Sequence, residues 1–525
     1  MQTALKIRLL SFFAITFLFF SCQQDLPIAE DVALDYIPED ISVLTVANVD
    51  QLMGKADFES VKEMDFYRST LFNVKKDNAA FAKILEDPSL SGVDLNQNAY
   101  LAQEVDSQRI ELSFSAVLLP LADVEAFQQM LTDIEMDFEP VSQGYGYLSQ
   151  GSQARLVWNE EVAILGVTKK EEDIKAKLET YIQRKAGESV AANPNLRKLL
   201  ATDFDLANWM KSDVLANRKD LFSASVFTNL DEETLKGNYL HSFVHFENGQ
   251  IRSESYFYIK KKITNDLDLF FRNKVETDFT AAMPGNGLGL MLTAALSPKG
   301  FNQILVEKHV KGAADQQVKS FGITMEELIN GLSGDVAIGL YPTEKYQDPN
   351  VVVIAKVEEK KTVQTLLEGL LKEEVIEDNG NGMYTIKGYT KEIESDTGMV
   401  QKNIKLDGHL LMVGDLLYVT SSPEKAELIQ AGDFETQSPV IQALQPLMSA
   451  NIFAMIANQD LLWMEDDFKN LGIIKMQATA NRDQLEGILT LEDQSKNSLK
   501  TLMEQLNKSY VEHQKELEKE EGSKI

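Results

Sequence analysis

Residues 239–258 read YLHSFVHFENGQIRSESYFY, two runs of alternating bulky and polar residues joined by Asn248-Gly249. Alternation at period two marks a strand with one buried face, and Asn-Gly is among the strongest short signals for a hairpin turn. Residues 474–491, IKMQATANRDQLEGILTL, carry the same plan around Arg482-Asp483. Each hairpin closes a series of elements, and the likeness of the two series decides the fold.

Working back from the hairpins, Leu156 to Leu165 turns at Asn159-Glu160 as Leu410 to Val419 turns at Gly414-Asp415. Ahead of them, Gly144-Tyr145-Gly146-Tyr147 and Gly382-Met383-Tyr384 start short strands. A strand and an amphipathic helix come earlier still. Phe114 to Leu119 leads to Val124, Phe127 and Leu131, and Val351 to Val357 leads to Val363, Leu366 and Leu367. Apolar positions at three- and four-residue steps lay one stripe of each helix on a sheet. Leu90-Ser91-Gly92 recurs as Leu332-Ser333-Gly334. The two series open at Ile37-Pro38-Glu39-Asp40, before Val43 to Val46, and at Met283-Pro284-Gly285-Asn286, before Leu288 to Leu292.

The prediction is an α+β protein of two tandem repeats, each a mainly antiparallel sheet with helices packed on it. The repeats are expected at residues 37–279 and 280–497, divided near 276–284. Lys391 to Lys405 reads as a polar loop inserted in the second. Residues 498–525 read as a charged helix whose end, Lys515 to Lys524, is expected to fray.

Composition narrows the function. The 525 residues hold 51 Lys+Arg against 81 Asp+Glu, a net charge of −30, and 44% are apolar. Such an acidic surface repels phosphate backbones, so nucleic-acid binding is not expected. One Cys cannot form an internal disulfide, and with five His it makes a structural zinc site remote. The main body has no apolar run near the ~20 residues of a membrane span.

The N-terminus reads as an address. Lys6 and Arg8 precede an apolar stretch from Leu9 to Phe20, broken by Ser11 and Thr16, and Ser21 precedes Cys22. That is the layout of a secretory signal over residues 1–21. A small residue followed by Cys resembles a bacterial lipobox, in which the thiol takes a diacylglyceryl group. Phe19 stands where an aliphatic residue is usual, and the alternative is an ordinary signal peptide with an incidental Cys. Cleavage before Cys22 leaves 504 residues and, by removing Lys6 and Arg8, takes the charge to −32. Residues 22–36 read as an acidic tether. Cys22-Gln23-Gln24-Asp25 has a weak likeness to a surface-export signal.

Together, the lipobox, Ile37-Pro38-Glu39-Asp40, the element Ser91 to Leu95 and the duplicated layout resemble a family of large Bacteroidota lipoproteins described only as a domain of unknown function. The resemblance implies an envelope protein, most naturally at the outer membrane, and supplies no catalytic residues.

Several places in the chain carry residue patterns associated with chemistry. His241 and His245 sit on a strand, where four residues span about 13 Å, too far for one metal ion. The corresponding positions in the second series are Lys475 and Thr479. Ser422-Pro423-Glu424-Lys425 fits the Ser-x-x-Lys pattern of acyl enzymes, but Ser422 also suits a helix cap with Pro423 in the first turn. Thr168 is its expected counterpart. Pro284 to Gly289 reads as a turn into a strand rather than a phosphate cradle. Asp378 to Gly382 reads as a turn rather than a calcium loop. The clusters Glu171-Glu172-Asp173, Asp231-Glu232-Glu233 and Glu465-Asp466-Asp467 fall where helices are expected to begin. Trp158, Trp209 and Trp463 suit core anchors better than a sugar platform.

These patterns assign no catalytic, cofactor-binding or metal-binding residue; Cys22 is the single assigned site, for lipidation. The expected function is non-catalytic binding or scaffolding in the cell envelope, with a membrane contact through the lipid and an envelope protein or glycan as partner. An envelope hydrolase and a glycan-binding accessory are the alternatives.

Overall fold

The computed structural model describes residues 31–522 except 107–110, 137, 142–143, 148–153, 169–170, 185–187, 213–235, 259–268, 273, 308–310, 345–347, 388, 396–397, 405–407 and 435–437. The expected signal, Cys22, the start of the tether, Asp231-Glu232-Glu233 and residues 523–525 lie outside the described residues.

The first ten strands are β1 (Val43–Asn48), β2 (Asn98–Asp106), β3 (Glu111–Pro120), β4 (Glu139–Val141), β5 (Gly144–Tyr147), β6 (Ala154–Trp158), β7 (Val162–Thr168), β8 (Leu206–Lys211), β9 (Tyr239–Glu247) and β10 (Gln250–Tyr258). The rest are β11 (Leu290–Ala295), β12 (Leu332–Tyr341), β13 (Asn350–Val357), β14 (Ile376–Asp378), β15 (Met383–Ile386), β16 (Tyr389–Ser395), β17 (Gly398–Ile404), β18 (Gly408–Val413), β19 (Leu416–Thr420), β20 (Phe453–Asn458), β21 (Ile473–Ala480) and β22 (Gln484–Leu491). Twenty of them form one antiparallel sheet in the order 4-5-6-7-3-2-1-8-9-10-22-21-20-11-12-13-19-18-15-14. The expected hairpins are all present, because their turns carry the residues their geometry needs. Asn159, for example, accepts from the amides of Glu161 and Val162 through Oδ1 at 2.9 and 3.0 Å.

Two helical groups cover the inner face of this sheet. In the first half, Ile174, Leu178 and Tyr181 from the helix Glu171–Ile182 join Leu196 and Leu199 over β1, β2 and β7. In the second half, Ala426, Ile429, Val440, Ile441 and Leu444 from the helices Pro423–Ala431 and Pro439–Met448 do the same over β11, β13 and β19. On the outer face, the helix Val124–Asp133 buries Phe127 and Leu131 against Trp158, and Lys360–Lys372 buries Val363 and Leu367 against Leu410. Removing this apolar stripe from water is what holds each helix down.

Several sequence expectations are corrected. The tether does not extend to residue 36. Asp31 caps a 3-10 helix, Val32–Tyr36, by accepting from the Ala33 amide at 3.0 Å, and Ala33 and Leu34 enter the core. The acidic residues concealed a short apolar run that has a sheet to pack on. Within the stretch expected as a loop from Lys391 to Lys405, β16 and β17 pair as a separate two-stranded ribbon. The C-terminal helix runs from Ser498 to Gly522. It docks on the first half, where Lys500 Nζ meets Asp57 Oδ2 at 2.6 Å and Asn507 accepts from the Phe66 amide at 3.1 Å. The recurring tripeptide also misleads. The Gly92 carbonyl accepts from the amides of Ala122 and Asp123, while the carbonyl accepting from the matching pair, Glu358 and Glu359, belongs to Gly331 rather than Gly334.

Candidate functional site

Where the two halves meet, β10 and β22 pair side by side, and a single row of directly opposed residues crosses the sheet there. From Phe243 the row runs outward through Ala207, Val46, Tyr100, Leu118 and Ile164. From Thr479 it runs through Ala454, Thr293, Ala337, Ile354 and Tyr418. Between Phe243 and Thr479 stand Glu254 and Glu486, opposite one another. Like charges directly opposed across strands destabilise the pairing, so this break in an otherwise largely apolar row is notable.

Their neighbours offset part of the repulsion. Arg252 Nε donates to Glu247 Oε1 at 2.9 Å and its Nη1 contacts Glu254. Tyr256 donates its hydroxyl to Glu254 Oε2 at 3.1 Å and accepts from Gln484 Nε2 at 3.2 Å. Burial, followed by the Glu254 charge, raises the Glu486 carboxyl above its ordinary range. Glu247 is lowered, because hydrogen bonds from Gln250 and Arg252 outweigh its burial. Three carboxylates against one guanidinium make a half-buried seam suited to holding positive charge.

His241 and His245 edge this seam on β9. Both are buried on one face with Phe243 between them. Burial pushes His241 down to about 3; its Nε2 has no hydrogen-bond partner, and its ring lies 4.5 Å from that of Tyr258. His245 faces Arg252 across the ladder and is lowered by burial and then by that charge. Among the described residues no group of three or more His, Cys, Asp or Glu is placed to hold a metal ion.

At Ser422, the hydroxyl accepts from the Lys425 amide at 3.3 Å and caps the helix Pro423–Ala431. Lys425 Nζ turns to the Asn286 carbonyl at 2.9 Å and lies 4.6 Å from the Tyr341 ring centroid. The Ser-x-x-Lys spacing is thus spent on a helix start. Thr168 ends β7 and donates to the Ser113 carbonyl at 3.0 Å. Asp378 to Gly382 forms the turn between β14 and β15, with the Gly380 amide donating to Asp378 Oδ1 at 2.7 Å. Glu171 opens a helix, and Glu465 directly precedes the helix Asp466–Asn470. Trp158 and Trp209 are buried, and Trp463 is half-buried and donates Nε1 to the Ile473 carbonyl at 2.8 Å. Three tryptophans so placed do not form a shared exposed platform.

Sequence reasoning missed two clefts, both in the first half. One, of about 780 Å³, lies between the helix Glu171–Ile182 and the chain at Glu39-Asp40. The other, of about 750 Å³, is lined by Asp31, Asn48, Asn96, Asn98 and Arg197. Tyr100 donates to Asp31 there, and burial raises both groups. No motif announces either cleft, since their walls come from segments far apart in the chain.

The profile of the family described as "Domain of unknown function (DUF4836)" matches residues 34–374, most of the chain and across the expected division near 276–284. No curated protein matches. Crystal forms IV and I of TP0453 align at 10% identity over 44% of this chain and 81% of that chain, with a TM-score of 0.26, a likeness too slight to support an argument. No described helix is long and apolar enough to cross a membrane.

Proposed function

Because the chain belongs to the DUF4836 family, whose description leaves its role open, we propose its function from its build. It is a lipid-anchored envelope protein of the Bacteroidota type, held at the outer membrane through Cys22, and its two tandem repeats form a rigid frame for non-catalytic binding or scaffolding. The observation that carries this reading is the order of strand pairing. Read inward from one end, the sheet runs 4-5-6-7-3-2-1-8-9-10; from the other it runs 14-15-18-19-13-12-11-20-21-22. The second series repeats the first, strand for strand, once β16 and β17 are set aside as an insertion. The central register agrees. Gln250 faces Thr490 and Tyr256 faces Gln484, so positions 234 apart exchange places across the seam, as a local two-fold requires.

A sheet continuous through both repeats has no hinge between them and suits presentation better than closure over a substrate. Capping at Ser422 and burial of Trp158 and Trp209 favour this reading over a Ser-x-x-Lys hydrolase or a glycan platform. The anchor rests on Lys6, Arg8, the apolar run and Cys22.

Mass spectrometry of the mature protein should find an acylated Cys22 at the N-terminus, and Cys22→Ala should move the protein from the membrane to the soluble fraction. An unmodified terminus would remove the anchor. Labelling of Ser422 by a penicillin or fluorophosphonate probe would replace scaffolding with catalysis.

A further inference from the structure

We infer that the cleft beside the helix Glu171–Ile182 is a binding site for a small zwitterion, a free amino acid or short peptide carrying both an ammonium and a carboxylate. The cleft encloses about 780 Å³, within the range of small-ligand sites. At its floor stands Tyr181, with no exposed surface and a hydroxyl that has no hydrogen-bond partner. Three residues on, the buried Nε of Arg184 is likewise unpartnered, although Nη1 of the same group donates to the Glu188 carbonyl at 2.9 Å. The Arg184 guanidinium lies 6.0 Å from the Tyr181 ring centroid, so both donors belong to one wall. Buried polar groups are nearly always satisfied, and two unspent donors together on a cleft wall ask for an acceptor from outside the chain.

The facing wall supplies the opposite charge. Glu39 and Asp40 are exposed carboxylates lining the cleft. Lys211 Nζ donates to the Glu39 carbonyl at 2.6 Å, which fixes that backbone and leaves the carboxylate to the ligand. Lys177, one turn before Tyr181, contacts Glu104, so that pair is largely neutral. A ligand carboxylate against Tyr181 and Arg184, with its ammonium against Glu39 and Asp40, satisfies both walls.

This site is not part of the duplicated plan. The helix at the same place in the second half, Pro423–Ala431, has 9 residues against 12 and ends at Gly432, whose φ is +67°. It stops before a turn that could carry the Tyr181 and Arg184 pair.

Calorimetry on the full mature chain with alanyl-alanine tests the inference. N-acetyl-alanyl-alanine, alanyl-alanine amide and inorganic phosphate serve as controls. The free dipeptide should bind, with each capped form at least ten-fold weaker. Tyr181→Phe and Arg184→Met should each weaken binding at least ten-fold. Ligand-free Tyr181→Phe should melt no lower than the wild type, because the hydroxyl it removes has no partner. No dipeptide binding at millimolar concentration would overturn the inference, as would phosphate or a capped form binding equally well. A lowered melting temperature of Tyr181→Phe would overturn it too, by showing that the hydroxyl is already satisfied within the chain.

Discussion

The first and second halves of the sheet share a pairing order and differ in what they build on it. Among the described residues, each half buries one fully enclosed aspartate against a cation. In the first, Asp205 Oδ2 meets Lys55 Nζ at 2.7 Å and accepts from the Phe246 amide at 2.6 Å. In the second, Asp335 contacts Arg272 and accepts from the Glu276 amide at 3.1 Å through Oδ1. These two aspartates occupy different strands or strand ends, so the likeness is one of device and not of position. Among the described residues, the two clefts above, Trp158 and Trp209 lie in the first half, and the β16–β17 ribbon lies in the second. Backbone pairing tolerates such divergence because the ladder bonds do not depend on side-chain identity, whereas a cleft exists only where particular side chains stop short of filling space.

The sharpest way to break the comparison is at the seam. Ser253 lies on β10 with Val244 on one side and Gly487 on the other. Ser253→Pro removes a ladder hydrogen bond in a strand paired on both edges, at a cost of roughly 3 kcal/mol or more. Urea unfolding should then split from one transition into two if the seam couples the halves. A single transition, merely shifted, would mean that other contacts, such as the C-terminal helix on the first half, bind them together.

A second effect separates the halves by pH. His241 has an ordinary value of 6.5 and is pushed to about 3 by burial. Above pH 6.5 it is neutral in both folded and unfolded chains. Below that, only the unfolded chain takes up the proton until the pH nears 3, so stability falls with acid across this window. The slope is about 1.4 kcal/mol per pH unit. His241→Phe should flatten that part of the stability profile. The second half has Lys475 instead of an imidazole at the corresponding position, so Lys475→Phe should leave that part of the profile unchanged. Equal acid sensitivity in wild type and His241→Phe would show that His241 is not the group responsible.

The smallest effect tests a likeness to enzymes. Ser422→Ala should cost about 1 kcal/mol through the lost helix cap, read from thermal unfolding. Loss of a catalytic activity with unchanged stability would reverse the assignment of Ser422.

Much of the architecture was legible because its signals are local. Alternation and turn chemistry located the hairpins at Asn159, Asn248 and Gly414, since each such turn depends on a few adjacent residues. Errors arose where a local signal pointed the wrong way. Asp31 and Asp35 made the segment around Leu34 look solvated, although a capping acid and a buried leucine belong to the same short helix. The polar run at Lys391 concealed a ribbon, because strand pairing requires backbone partners and not an apolar face. The shared Leu-Ser-Gly misplaced the alignment by three residues, since the role that matters is a carbonyl, which any residue can offer.

From sequence alone came the acidic charge, the expected Cys22 anchor, the antiparallel elements and the strand setting of His241 and His245, all of which depend on residue type or on spacings of a few residues. The tertiary structure decided that β10 and β22 join, that Glu254 faces Glu486 there, and that Tyr181 lines a cleft opposite Glu39. Those are encounters between segments more than a hundred residues apart, and no short-range pattern encodes which distant groups the folded backbone will bring together.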